Sequence, residues 1–595
     1  MSEPPSPATG EYRVADLEVF YAGTDLALVH SRDTGAAGFY RPEIVELLTG
    51  LRDFRGIDDH LRNCLRDRPE LPAGVLHREL VNLCRAGFLV PRDQPSAGGP
   101  VTEAQPITTV GFPTRDRVEL LGRAVTGYTE NCSTYGRRPA FVVLDDSAEQ
   151  ATRDRYRTML AELAERCRVE IGYAGLPEKS AFVTALAETG GVPPAVARYA
   201  CLGERRADIP TVGANRNCLL LHTVGERIFS ADDDTVCQLA LPPEQGEQLA
   251  LRSAGNPLQT WYFTGRDEAF ESLPATEQDL LGAHERYLGR SPAEVLAGVG
   301  ARASWELAEP ALLRRLRSRP GRILLTSNGT VGDCGWDNPN FQLFAEGSSF
   351  SRLTQSAAGY RQLRGSRELA QAVTQPTITA HPDPRFAMCI GLDNTELLAP
   401  FPPTGRAEEV SFGAILARCF RDGYGAHLPL LARHDPAGER QFSNESMFAI
   451  NFGSWLPACI GQFDPGASTD PPDRLRGLGN YLADLGRLPA QEFDSYVRDI
   501  VWQSMSALIS GLTERLTGAD SVPDFWAADA RRFIATARRQ ALAPVAELCA
   551  AVGGRSGLQR SLVQFGELLT WWPRLVAAAA TLRASGIRLA GSVAS

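Results

Sequence analysis

Lysine is all but absent from this 595-residue chain: Lys179 stands alone, and the rest of its 61 basic residues are arginine. That rarity excludes a P-loop, whose lysine follows glycine and precedes Ser or Thr, because Lys179 lies in GLPEKS. None of the twelve cysteines is spaced C-x-x-C, so a zinc ribbon is not expected, and reduced thiols are the default for a chain of this size. No stretch of about 20 apolar residues occurs; Leu575–Leu582 is short and flanked by Arg574 and Arg583, so no membrane span is expected. Positive charge is not in excess either. The net charge of -10 argues against sequence-independent nucleic-acid binding, which needs a basic surface to neutralise phosphates. The opening MSEPPSPATGEY is polar and Pro-rich, unlike a signal peptide, so a cytoplasmic location is expected.

What is present is an ordinary globular composition, 43% hydrophobic and 22% charged, in a chain long enough for about two to four domains. Residues 1–10 read as a disordered tail. Residues 11–92 read as a compact unit: a strand over Asp25–His30, helices over Pro42–Phe54, Gly56–Arg66 and Pro72–Ala86, then a strand or wing at Phe88-Leu89-Val90. Leu76, Leu80 and Leu83 share one stripe of the third helix. Residues 93–106, rich in Pro, Gly and Ser, read as a linker.

From 107 to 240, strand and helix alternate: Ile107–Phe112, Arg115–Tyr128, Phe141–Leu144, Thr152–Cys167 and Val169–Tyr173. Such alternation predicts an α/β fold with a mixed or parallel, Rossmann-like sheet, whose ligands bind beyond the carboxyl ends of the strands. Three clusters lie there: Pro113-Thr114, Asp145-Asp146 and Asp232-Asp233-Asp234. Three consecutive aspartates repel one another and lack neutralising neighbours in sequence. A divalent cation sharing their oxygens accounts for them, and leaves coordination sites for phosphates; the alternative is an acidic loop capping a strand. Residues 241–480 are harder to parse. They hold the strand Arg322–Thr326 and the loop 327–339, whose Asp333 and Trp336 could shape a pocket or only a turn. Residues 481–595 are helical, with Val497, Val501, Met505, Leu508, Leu512 and Leu516 on one stripe.

TVGFPTRDR, VVLDDS, GANRN, FSADDD and RAEEVSFG, in that order over about 300 residues, resemble the motifs of inverting GT-A glycosyltransferases of the broad family 2 type. The last acidic position of the final motif is Glu409 here, where the family usually has Asp. The resemblance implies a GT-A domain over 107–480, with a nucleotide-sugar half (107–240) and an acceptor half (241–480). It implies donor binding by Pro113, Thr114, Arg117, Asp145, Asp146, Arg216, Asp232 and Asp233, a UDP-sugar being the expected donor. Mn²⁺ or Mg²⁺ would be held by Asp232, Asp234 and a third ligand, His427 being the first candidate and His434 the second. Glu409 would be the general base, with Glu408 beside it. Each assignment has a plainer alternative: Asp145 and Asp146 as a helix N-cap, Arg216 as a surface arginine, Glu408-Glu409 as the acidic first turn of a helix, and His427 as a hydrogen-bonded core residue.

The unit 11–92 resembles the PqqD-like winged helix that recognises leader peptides in enzymes modifying ribosomal peptides. The resemblance rests on its strand–helix–helix–helix–wing order and on LCRAGFLV. It implies a precursor or leader peptide as partner, and a peptide or other small natural product as acceptor. The expected function is then a metal-dependent, inverting transfer of sugar. The rival expectation is a non-catalytic peptide-binding scaffold carrying a degenerate GT-A domain. The C-terminal helices are expected to brace the acceptor half or form a homodimer.

Overall fold

The computed structural model describes residues 10–92, 105–204, 209–299, 303–305, 307–318, 321–384, 388–442, 450–518 and 522–593. Apart from Gly10, Gln105 and Pro106, the expected tail and linker lie outside the described residues.

In the first unit the three helices run over Pro42–Gly50, Ile57–Asp67 and Ala73–Arg85, close to where periodicity puts them. Leu76, Leu80 and Leu83 are buried, as their shared stripe predicts. Leu17–Tyr21, Ala27–Ser31 and Ala37–Tyr40 form a three-stranded antiparallel sheet, and Leu89–Pro91 returns to pair with Tyr12–Val14. The unit has its own core and is docked on the rest of the chain. The Arg13 guanidinium donates to the Ala308 carbonyl at 2.5 Å, Arg314 pairs with Asp16 at 3.1 Å, and the Phe54 ring meets Trp305 edge-on.

The remainder is built on one mixed α/β sheet of 14 strands among the described residues. Its left-to-right order includes Gly423–His434, Arg322–Asp333, Cys389–Asn394, Glu226–Ala231, Thr109–Thr114, Ala140–Asp145 and Ile171–Ala174. The strands of the first half pair in parallel, Glu226–Ala231 with Thr109–Thr114 and the latter with Ala140–Asp145. Helices cover both faces. Along Ala140–Asp145, Val142 and Leu144 enter one core while Phe141 and Val143 enter the other, as expected of a strand buried on both sides. The helices Val118–Thr134 and Gln150–Cys167 occupy one face; Leu176–Gly190, Pro194–Leu202 and Val212–His222 occupy the other.

Two expectations about the later chain need correcting. The strand at Arg322 does not stop at Thr326 but continues to Asp333, so most of the loop expected over 327–339 is sheet. Glycines disguise it in sequence. A Cβ on Gly329 would meet the Gln371 carbonyl oxygen at 2.0 Å, so only glycine lets the neighbouring strand approach. The boundary placed at 480/481 falls inside the helix Pro471–Gly486. That helix packs on Gly554–Ala584 through Gly479 and Gly566, where a Cβ on either would meet the other's carbonyl oxygen within 2.5 Å. The C-terminal helices share the core of Leu176–Gly190, Pro194–Leu202 and Val212–His222, and Gly591–Ser592 pairs with Ile171–Ala174 at the sheet edge. They are therefore part of the same body. All twelve cysteines are free thiols, and among the described residues no helix is long and apolar enough to cross a membrane.

Candidate functional site

The segment GANRN lies in the first turns of the helix Val212–His222, and its glycine, arginine and asparagines have distinct tasks. Gly213 lets the helix lie against Pro402, whose carbonyl oxygen a Cβ would meet at 1.9 Å. Asn217 clasps the same segment, donating to the Phe401 carbonyl (2.9 Å) and accepting from the Phe401 amide (2.8 Å). Arg216, buried, donates to Asp232 Oδ1 at 2.7 Å, to Glu408 Oε1 at 3.3 Å and to Ser230 Oγ at 3.3 Å. Its guanidinium also lies over the Phe401 ring, which stacks on Phe412 at 4.0 Å. Arg216 is thus the link between the acidic tip and the Glu408 helix. It is buried, and so is not the surface arginine of the plainer alternative.

The acidic tip follows Glu226–Ala231, next to Thr114 on the adjacent strand. Asp233 accepts from Thr114 Oγ1 at 2.7 Å and pairs with Arg117 at 3.0 Å. Asp234 pairs with Arg117 at 3.1 Å, with Arg440 at 3.3 Å, and with His434 Nε2 at 3.3 Å. Neutralising charge that is missing in sequence is therefore supplied by the fold, and repulsion within the tip no longer demands a cation. Burial would raise the Asp234 carboxyl, but His434, Arg117 and Arg440 outweigh it and hold it well below the usual range. Burial and the neighbouring Asp234 charge push Asp233 the other way. Burial opposes the charged form of His434, yet Asp234 pushes that imidazole up to about 9.

Of the two histidines weighed as third ligand, His434 is the one beside the tip. His427 lies seven residues back on the same strand, beyond a register shift, with Nδ1 on Ser327 Oγ at 2.9 Å. It is a core residue. Among the described residues no three acidic, His or Cys side chains converge as a ready metal cage. Asp234 and His434 are the pair that could hold a divalent cation, provided the imidazole gives up the proton that Asp234 stabilises. His434 Nδ1 donates to the Asp333 carbonyl at 2.5 Å, which leaves Nε2 aimed at Asp234; such support of the far ring nitrogen is the usual condition of a ligating histidine. Asp232 would join them when Arg216 gives way.

Asp145 and Asp146 lie two strands from the tip, on the far side of Thr114, about 10 Å at the usual strand spacing. Both are buried and internally satisfied. Asp145 accepts from the Ser147 amide (2.8 Å) and hydroxyl (2.6 Å) and from Tyr173 OH (2.6 Å). Asp146 accepts from Lys179 at 2.6 Å and Thr211 at 2.5 Å. They are not a helix N-cap, since Glu149 holds that position. Their carboxylates thus face hydrogen-bond donors of the protein itself. Pro113 is the last residue but one of Thr109–Thr114, the strand between the two clusters.

Glu408 and Glu409 open the helix Glu408–Cys419. The residue before them, Ala407, sits at φ 62°, a left-handed conformation unusual for alanine and of a kind that collects at functional sites. Gly453 lets the following segment lie against this turn, since a Cβ there would meet the Arg406 carbonyl oxygen at 2.1 Å. Glu408 is buried on Arg216; Glu409 is half-buried, and burial and the neighbouring Glu408 push its carboxyl up to about 8. Its placement in the first helical turn satisfies the plainer expectation too.

Four residues of this network were not expected at the site from sequence: Arg440, Thr211, Asn215 and Lys179. Lys179 carried a signal, its rarity; Arg440 carried none. Trp336 is half-exposed and stacks on Phe341 at 5.4 Å, beside the buried Asp333–Arg367 pair.

No family model matches this chain, and no curated protein matches it. It shows slight similarity to a structure of the heterocyclase TruD (9% identity, 28% of this chain and 26% of that one, TM-score 0.12). A heterocyclase in complex with substrate and cofactor is similar to the same small degree (14% identity, 28% and 23%, TM-score 0.11). The chain thus spans about a quarter of each, and at such scores neither bears on fold or function.

Proposed function

We propose that this protein transfers sugar from a nucleotide-sugar, with a UDP-sugar as donor and inversion at the anomeric carbon. The observation that carries this reading is Arg216, which ties the acidic tip to the helix of Glu409 through Asp232 and Glu408. Donor-side and acceptor-side chemistry thereby meet in one place at the carboxyl end of the sheet, where open α/β sheets take ligands. The motif resemblance to inverting GT-A glycosyltransferases agrees in order and spacing.

In this reading Asp234 and His434, with Asp232, would hold Mn²⁺ or Mg²⁺, and that ion when bound would neutralise the leaving diphosphate as a Lewis acid. The half-exposed guanidinium groups of Arg117 and Arg440 are free to turn from Asp234 toward phosphate oxygens, which they match in shape and charge. Glu409, ionised, accepts the proton of the acceptor nucleophile. Its half-buried setting limits water.

The unit 10–92 is proposed as the peptide-recognition part, a PqqD-like winged helix. At its junction with the body a cleft of about 370 Å³ is lined by Asp16, Arg52, Arg252 and Leu307 among others, a path for a chain held on both sides. Deleting residues 1–92 is expected to raise the KM for a peptide acceptor while sparing donor hydrolysis; an unchanged acceptor KM removes the recognition idea.

One observation favours the rival scaffold reading: every carboxylate of the tip already has a cationic partner. The two readings separate in a thermal-shift panel of nucleotide-sugars with and without Mn²⁺. A ligand at about 100 times its Kd stabilises by about 2.7 kcal/mol. A metal-dependent rise with a UDP-sugar is expected, and no rise with any nucleotide would leave the scaffold.

A further inference from the structure

We infer that Lys179, the chain's single lysine, is the positioning residue of the donor site; the inference rests on the nucleotide-sugar reading above. Its side chain is fully buried on the helix Leu176–Gly190, behind the sheet edge, away from any expected reacting atom. The ammonium spends its three protons on three acceptors: the Asp145 carbonyl (2.9 Å), Asp146 Oδ1 (2.6 Å) and Asn215 Oδ1. They join two parts of the site. Asp145 and Asp146 end the strand of the second cluster, and Asn215 immediately precedes Arg216 on its helix. Asn215 passes the link on, donating through Nδ2 to the Thr114 carbonyl at 3.3 Å, and Thr114 holds Asp233. Thr211, just before that helix, closes the loop on Asp146 Oδ2.

The result is one buried junction that sets the mutual position of all three sheet-edge clusters. Burying an ammonium among acceptors is costly unless each proton is used. In a chain otherwise supplied with arginine, a single lysine survives where three donors must radiate from a point; a planar guanidinium cannot match that arrangement. The burial and the geometry thus point the same way as the composition.

The test exploits the rarity. With lysine labelled at Cε with ¹³C, the wild-type protein gives one side-chain lysine signal. Adding UDP with Mg²⁺ is expected to raise the melting temperature and to move that signal, although the side chain has no path to the ligand. A raised melting temperature with an unmoved signal overturns the positioning role alone. No rise in melting temperature overturns the donor-site reading and this inference with it. Two variants separate position from mere stability. Lys179→Met leaves Asp146 without its cation and is expected to lower the melting temperature. Lys179→Met with Asp146→Asn removes both charges and is expected to restore most of the melting temperature, yet to leave the donor KM raised at least tenfold with kcat changed much less. Recovery of the donor KM together with the melting temperature in the double variant would show a structural role only, and would sink the proposal.

Discussion

Glu409→Gln is expected to lower kcat for sugar transfer by about 10²–10⁴-fold, the usual worth of a positioned general base, with donor KM nearly unchanged. The amide keeps the shape and cannot take a proton. The pH profile provides a second readout. Burial and Glu408 push the Glu409 carboxyl up to about 8, and a base acts only when ionised. The wild-type rate should therefore climb as pH rises through about 8 and level off above it. In the Gln variant that climb should vanish from the residual rate. A near-wild-type kcat, or a variant that keeps the climb, assigns the proton to another group. Glu408 is not that group on this geometry, because Arg216 already holds it.

Asp234→Asn is expected to lose the cation-dependent part of donor turnover by at least about 100-fold. That exceeds the 10–100-fold typical when a residue merely supporting a metal ligand is changed. Asparagine is the informative substitution, and alanine is not. Asp234 is buried against His434, Arg117 and Arg440, and removing one partner from buried ion pairs costs up to about 3–5 kcal/mol. The half-exposed arginines lessen that cost through solvent screening, but Asp234→Ala would still confuse lost binding with lost fold. Asparagine keeps an acceptor oxygen and the packing. Calorimetry of Mn²⁺ binding in the presence of UDP checks the outcome. Undiminished binding, with Mn²⁺-dependent donor hydrolysis intact, would show that Asp234 is no ligand.

Sequence alone was enough for the α/β class, for most helices of the first 240 residues and for the strand ends where charge gathers. These rest on local periodicity: Val142 and Leu144 against Phe141 and Val143, or the Leu76–Leu80–Leu83 stripe, report burial directly. It was not enough for the glycine-rich end of Arg322–Asp333, because a strand kept thin for a close neighbour resembles a loop. The identity of side-chain partners was beyond it altogether. The same three aspartates that look unneutralised along the chain are met by Arg117, Arg216, Arg440 and His434 from other parts of the fold. His434 rather than His427 faces them because seven residues of strand separate the two. Asp145 and Asp146 face inward to Lys179, Thr211 and Tyr173. A residue's chemistry is written in the chain, but which charge it meets depends on contacts between segments distant in sequence, and those exist only once the sheet has brought its edges together.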